Sequence, residues 1–250
     1  ALEQCTDEFF GTYIEEMYRS GVDVMNIEGT QLASAIINRA VNGIASDVVR
    51  LAWGGDTAAA AGYTAFDGWM KLMGADATVE AAKTELTVVA PNVPTGAEAL
   101  SLIRTMYDAA PAALQQVPSN DKKIFVTPGI YNAYLQNLEG TSADLAIINR
   151  VDGSARVAFR GVEVVAMYEW DTILSDTNPS IAVDAAAANA TQIACYCAVE
   201  NLIIGSDVTD PEGSFKVFYD DLEEKMFLRA YFKLGVQFLY SSLVQWGLLK

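Results

Sequence analysis

The amino-acid sequence predicts a mixed α+β fold, and three observations carry that expectation. Leu32, Ile36, Ile37, Ala40, Val41, Ile44, Val48 and Leu51 recur three or four residues apart, the spacing of one apolar stripe along a long helix. Ile124-Phe125-Val126 followed by Thr127-Pro128 reads as a short buried strand passing directly into another helix. From Ala155 onward the pattern changes to apolar, β-branched and aromatic runs of strand length.

Taken in order, Phe9, Phe10, Tyr13, Ile14 and Met17 fall at helical spacing among Asp7, Glu8, Glu15 and Glu16, which predicts a short amphipathic helix over Thr6–Tyr18, ending near Gly21. The long helix is expected over 30–53, with Thr30 as N-cap, Glu28 near the positive end of its dipole and Gly54-Gly55 as its stop. Asn38, Arg39, Asn42, Asp47 and Arg50 fall largely off its stripe, so the opposite face meets water or a neighbour. An Ala-rich passage then leads to Phe66-Asp67-Gly68-Trp69-Met70, and Leu86-Thr87-Val88-Val89 leans towards strand.

Pro91, Pro94 and Gly96 mark a boundary before a helix over 97–110, whose apolar side is Ala99, Leu100, Ile103, Met106 and Tyr107 and whose end is Pro111. Pro118-Ser119-Asn120-Asp121 reads as a loop. The helix opened by Pro128 carries Tyr131, Tyr134, Leu135 and Leu138 as far as Gly140. Strands are expected at Val157–Phe159, Gly161–Met167, Ile193–Val199 and Phe215–Tyr219, followed by one long β region, Lys225–Trp246, bent or bulged at Gly235.

Composition narrows the function. With 250 residues, 52% of them hydrophobic, the chain can bury one large core or two modest ones. Its formal charge is −16 and its longest basic run is Lys122-Lys123, which argues against nucleic-acid binding as the main role. Histidine is absent, so Ser-His-Asp and Cys-His catalysis and His-containing zinc sites are excluded. Cys5, Cys195 and Cys197 are too few for a disulfide framework and read as buried, unpaired thiols from a reducing compartment. No apolar run approaches the roughly 20 residues needed to cross a bilayer. The start Ala1-Leu2-Glu3-Gln4-Cys5 carries neither Met nor a basic-then-apolar leader, so an intact secretory precursor is not expected; proteolytic maturation or the interior of a longer polypeptide is.

Four short motifs invite chemistry and each has a plainer reading. Asp207-Val208-Thr209-Asp210-Pro211-Glu212-Gly213 is oxygen-rich, but it lacks the spacing of a calcium loop and reads as a solvated turn. Asp220-Asp221-Leu222-Glu223-Glu224 reads as a charged hairpin turn, because strand-like runs bound it at Tyr219 and Lys225. Gly54-Gly55-Asp56 has no phosphate-loop context, and Asn189-Ala190-Thr191 is a chance match to a glycosylation acceptor. No catalytic, cofactor-binding or metal-binding residue is expected. Phe215, Phe218, Tyr219, Phe227, Tyr231, Phe232, Phe238, Tyr240 and Trp246 crowd the C-terminus; most are expected in the core and some in patches where subunits meet.

The order of these elements resembles a known family. A helix ending in Trp53-Gly54-Gly55-Asp56, the segment Phe66-Asp67-Gly68-Trp69, a further helix, and the run Lys123-Ile124-Phe125-Val126-Thr127-Pro128-Gly129-Ile130-Tyr131-Asn132-Ala133-Tyr134-Leu135 come first. Phe159-Arg160-Gly161-Val162-Glu163-Val164 and a strand-rich C-terminus follow. From about Cys5 to Trp246 this resembles the HK97-type major capsid proteins of tailed bacteriophages. The resemblance implies an HK97-like capsid fold. In it, 1–90 is a peripheral P-domain part with spine helix 30–53, 91–205 is mainly the axial A-domain, and 206–250 supplies C-terminal strands returning to the P-domain.

The function it implies is structural rather than enzymatic: a homo-oligomeric shell subunit that self-assembles into pentamers and hexamers around a phage genome. Scaffolding, portal and decoration proteins would be its partners, with no sequence-specific nucleic-acid binding and no membrane. Its place would be the virion, assembled in the host bacterial cytoplasm. The alternatives are an encapsulin-like nanocompartment shell and, from another class, a carbohydrate-active or carbohydrate-binding protein using the acidic C-terminal loops. The N-terminal arm and E-loop of such subunits are not recognisable before Thr30, so the resemblance covers the body of the subunit.

Overall fold

A computed structural model describes residues 2–5, 31–58, 64–88, 93–140, 147–149, 155–175, 192–207, 215–220, 225–230 and 233–249. The helices are α1 (Gln31–Gly54), α2 (Trp69–Ala75), α3 (Ala77–Ala82), α4 (Gly96–Asp108), α5 (Ala112–Gln116), α6 (Pro128–Gly140) and α7 (Tyr168–Ser175). The strands are β1 (Leu2–Cys5), β2 (Thr84–Leu86), β3 (Lys122–Val126), β4 (Ile147–Asn149), β5 (Ala155–Phe159) and β6 (Val162–Ala166). They continue with β7 (Gln192–Ala198), β8 (Leu202–Ser206), β9 (Phe215–Asp220), β10 (Lys225–Ala230), β11 (Leu234–Phe238) and β12 (Val244–Leu249). Ala1–Val48 with Gly205–Gly235 forms one compact unit, and Val49–Ile204 with Val236–Lys250 forms another.

The first unit contains an antiparallel sheet in the order β1-β10-β9. Asp220 lies opposite Lys225 across the β9–β10 pair, the hairpin predicted around the acidic run. Most of α1 belongs to this unit. Asn38, Arg39, Asn42 and Asp47 are exposed while Ala40, Val41, Ile44 and Val48 are half-buried, as the apolar stripe requires. At 24 residues, α1 is about 36 Å long by the ordinary helical rise. The helix expected over Thr6–Tyr18 and the cap at Thr30 lie outside the described residues.

The second unit is built on a seven-stranded sheet in the order β2-β12-β7-β3-β6-β5-β4. β12 with β2 and β3 with β6 are parallel; the remaining pairs are antiparallel. Because successive residues of a strand face opposite ways, its central strands supply two cores. From β7, Ala194, Tyr196 and Ala198 join Leu102, Ile103 and Met106 of α4 and Ile130 and Tyr134 of α6. Ile193, Cys195 and Cys197 join Trp53, Trp69, Trp170, Ile173 and Trp246. The sheet is thus covered by helices on both faces, which explains why β7 and β12 are buried at every position. Each fully buried side chain of the size of Leu102 or Ile124 contributes about 1.5–3 kcal/mol.

Local chemistry places the helices and turns. Thr95 and Glu98 form a reciprocal capping box that starts α4 one residue before the predicted position. The Asp76 carboxylate accepts from Thr78 N and Val79 N and so caps α3; Ser241 Oγ donates to its other oxygen at 2.6 Å. Arg160 and Gly161 join β5 to β6 with φ of 49° and 84°, a two-residue turn whose twist matches the strands. Arg160 holds this unusual conformation while pairing with Asp108 at 2.6 Å and lying over the Tyr107 and Phe159 rings.

Several expectations are corrected. The region Lys225–Trp246 is not one bent strand. It divides into β10, β11 and the start of β12, with a 3-10 turn at Ser241–Leu243, and Gly235 lies inside β11. The strand expected at Leu86–Val89 is Thr84–Leu86, because those residues pair with Gly247–Leu249. Helix α7 and strand β8 were not predicted. In α7 the apolar positions Trp170 and Ile173 turn into the core over too short a length for a periodic signal.

Candidate functional site

Two segments singled out in the sequence, Trp53-Gly54-Gly55-Asp56 and Phe66-Asp67-Gly68-Trp69, meet in the second unit. Gly68 N donates to Gly55 O at 2.7 Å, and Gly55 N donates to Leu51 O at 2.9 Å. A Cβ at Gly55 would lie 2.3 Å from Phe66 O, and one at Gly68 would lie 2.6 Å from Gly55 N. Gly54 ends α1 as predicted, but Gly161 is the only positive-φ glycine among the described residues. The helix is therefore not stopped by a left-handed glycine cap; Gly54 makes room for the Ile173 side chain, and Gly55 with Gly68 lets two backbones touch.

Around this contact three charges are held together. Lys71 Nζ lies 2.5 Å from Asp56 Oδ1 and 2.7 Å from Asp67 Oδ1. Thr57 donates to Asp67 Oδ1 through both its N–H (2.9 Å) and its hydroxyl (2.7 Å), and Ala58 N donates to Asp56 Oδ1 at 2.8 Å. The Lys71 ammonium, followed by the two Thr57 donors, lowers the Asp67 carboxyl to about 2. Asp56 first and Asp67 second hold the Lys71 ammonium above its ordinary range. With two carboxylates on one ammonium the cluster is anionic, which is unsuitable for a phosphate, and its groups are engaged in joining the two segments.

The other candidates are dispersed. Asp207 Oδ1 accepts from Lys233 N at 2.7 Å, which ties the start of the acidic loop to the residue that precedes β11; residues 208–214 lie outside the described residues. So do 221–224 and the Asn189-Ala190-Thr191 match. Cys195 and Cys197 are buried free thiols, as expected, and burial followed by the neighbouring Cys197 pushes the Cys195 thiol well up, away from the reactive thiolate. Lys122 is buried, donates to the Leu114 and Gln115 carbonyls at 3.3 and 3.2 Å, and has its pKa lowered by burial. It closes the end of α5. Among the described residues no group of three or more His, Cys, Asp and Glu is arranged to hold a metal ion. No described helix is long and apolar enough to cross a membrane.

A surface feature the sequence reading missed lies on the same unit. Asn201 is 1% exposed. Its side chain accepts from Leu239 N (3.2 Å) and Tyr240 N (2.8 Å) and donates to Tyr240 O (3.0 Å). Its backbone carbonyl also accepts from Leu239 N at 3.1 Å. On the segments so joined, Tyr240 is 62%, Leu239 53% and Ile204 50% exposed, with Val199 and Ile203 nearby also open to solvent. Of the aromatic crowd, Phe238 and Trp246 are core and Tyr240 is surface. The doublet Ile203-Ile204 beside Asn201 was the available sequence signal, but apolar residues read as core until their strand is seen to have exposed faces.

No family model matches the chain. No curated protein sequence matches it either. Among solved structures, a chain of the satellite phage P4 procapsid that includes the size determination protein is similar over 100% of this chain and 74% of its own length. The TM-score is 0.54 and the identity 10%. A chain of the holo-SrpI encapsulin complex from Synechococcus elongatus is similar over 98% of this chain and 70% of its own, with TM-score 0.51 and 10% identity. A third, from Mycobacterium phage Che8, has TM-score 0.46 at 11% identity over 98% of this chain and 68% of its own. The first two likenesses show the fold: a mixed α/β architecture with a mixed sheet, of the HK97-like type found in these shell proteins.

Proposed function

We propose that the chain is a structural subunit of a closed protein shell, of the phage major capsid kind, and not an enzyme. The observation that carries this reading is the fold likeness to the P4 procapsid chain along the whole of this chain, through the long helix and both units. Function in such a subunit is geometry: many copies, each making modest contacts, close into a symmetric array whose strength is the sum of those contacts. The division into a peripheral part (1–90), an axial part (91–205) and returning strands (206–250) belongs to this reading. So do pentamers and hexamers around a genome, assembly in a bacterial cytoplasm, and scaffolding, portal and decoration partners.

The similarity to the encapsulin chain favours a second reading, a nanocompartment shell around protein cargo. Production of the natural full-length polypeptide in a bacterial host, followed by electron microscopy of the purified material, tests both. Closed particles of uniform size are expected. Packaged DNA in a phage-infected host supports the capsid reading and a defined protein cargo the nanocompartment. A folded protein that stays monomeric at every concentration and salt tested, with its phage or host components present, overturns shell formation.

A further inference from the structure

We propose that the start of α6 is a binding site for a phosphate-type oxyanion, held by the N–H groups of Gly129 and Ile130 and the side-chain amide of Gln192. The proposal goes beyond the shell-subunit reading and does not depend on it. Its first support is topology. β3 and β6 are parallel neighbours, and the helices that follow them cover different faces of the sheet. From α6, Ile130, Ala133 and Tyr134 enter one core; from α7, Trp170 and Ile173 enter the other. The carboxyl ends of parallel strands whose connections part in this way are where α/β sheets hold ligands. Met167 N donates to Val126 O at 2.9 Å and Thr127 N to Ile193 O at 3.0 Å, so β3, β6 and β7 all reach this edge.

The second support is a set of unspent donors. Pro128 has no N–H, and the first N–H of α6 to find a backbone acceptor is that of Tyr131, which donates to Thr127 O at 3.0 Å. The N–H groups of Gly129 and Ile130 have no acceptor among the described residues, although Ile130 is 0% exposed. A buried backbone N–H without a partner is rare, and a helix start, where the dipole is positive, suits an anion. Thr127, at the capping position, turns its hydroxyl to Gln192 Oε1 instead. α4 and α7 carry acids in their first turns; α6 carries none.

The third support is Gln192, which opens β7 and is 7% exposed. Its carboxamide lies against the Cα of Gly129: a Cβ there would be 2.5 Å from Oε1 and 2.8 Å from Nε2, so glycine is what admits the amide. Oε1 is occupied by Thr127, and Nε2 has no acceptor among the described residues, which leaves its donors beside the first turn of α6. Glu169 and Asp171 in the first turn of α7 oppose an anion, so binding is expected to be weak.

The test is thermal unfolding of the full chain at neutral pH against inorganic phosphate and, separately, a phosphate monoester, with sodium chloride at equal ionic strength as the reference. Tryptophan emission is the readout, because all four Trp residues lie in the core of the unit that carries the site. Phosphate at about ten times its dissociation constant should raise the melting temperature by roughly 3–6 °C, in a saturable way. Gln192→Glu, which supplies the site with its own carboxylate, and Gly129→Ala, which displaces the amide, should lose this rise. Gln116→Glu makes the same charge change at an exposed position and should keep it. If Gly129→Ala does not fold, the isosteric Gln192→Glu decides. A rise with inorganic phosphate alone identifies the free ion as the ligand, and an equal rise with the monoester a phosphorylated molecule. No rise beyond the chloride reference would make Gln192 a plain cap of α6 and overturn the site; so would a rise that survives Gln192→Glu. Either result leaves the shell reading untouched.

Discussion

The amide of Gly68 donates to the carbonyl of Gly55 at 2.7 Å, and this one bond fixes where the end of the long helix meets the start of α2. The nearest atoms to a Cβ at either position are backbone, which cannot rotate away.

Gly68→Ala and Gly55→Ala should therefore each cost about 1–3 kcal/mol, the range of an overpacked site. Gly43→Ala provides the contrast. It lies exposed within α1 with nothing within 4 Å of its would-be Cβ, so alanine should stabilise the helix by about 0.5–1 kcal/mol. Chemical denaturation of the three variants checks the ranking.

The Asp56–Lys71–Asp67 cluster predicts an acid transition. Asp67 is held at about 2 when folded against an ordinary 3.8, so the unfolded chain takes up its proton first. Its contribution is complete above the ordinary value and is lost as the pH falls from about 4 to about 2. Lys71, raised in the folded state, contributes fully below its ordinary value and loses that contribution only as the pH rises through the raised one. Melting temperatures from pH 2 to 7 should show the parent losing more below pH 4 than Asp67→Asn does. Lys71→Met should be worse than Asp67→Asn at pH 7, because it removes the ammonium from the fully buried Asp56 carboxylate.

Asn201→Ala should cost about 2–3 kcal/mol from the loss of three hydrogen bonds at about 1 kcal/mol each. Its signature is local. Tyr240 N donates to the Asn201 side chain, whereas Leu239 N also donates to the Asn201 backbone carbonyl. Hydrogen exchange in the variant should accelerate more at Tyr240 than at Leu239. Equal acceleration would show that the turn is held by something other than the side chain.

Cys195 and Cys197 should resist alkylation in the folded protein at pH 8 and react together on denaturation, since both are buried in the core that contains Trp246. Peptide mass spectrometry after a short iodoacetamide pulse checks this. Labelling of either residue under native conditions would place β7 nearer the surface than the fold allows.

Much of the fold is legible in the sequence because it is written in local periodicity. The stripe from Leu32 to Leu51 specifies a helix whatever covers it, and α1 spans Gln31–Gly54. The continuous apolar run Ile193–Val199 specifies a strand buried on both faces, and β7 is buried throughout. Asp220–Glu224 between two strand-like runs specifies a hairpin, and Asp220 pairs with Lys225. The mixed α+β class follows from the order of such elements, while the HK97-like type is reached through the resemblance that this order carries.

What the tertiary structure decided is everything that depends on a distant partner. Whether Thr84–Leu86 or Leu86–Val89 is the strand depends on where Gly247–Leu249 lies, and the breaks between Lys225 and Trp246 depend on which strand each piece pairs with. The glycines at 55 and 68 read as punctuation in isolation; only the approach of one backbone to the other shows that both must lack a side chain. Ile203, Ile204, Leu239 and Tyr240 are apolar letters like those of the core. Hydrophobicity is a property of the residue, but exposure is a property of what packs against it, and the hydrogen bonds that fix the backbone of Leu239 and Tyr240 come from Asn201, up to 39 residues away.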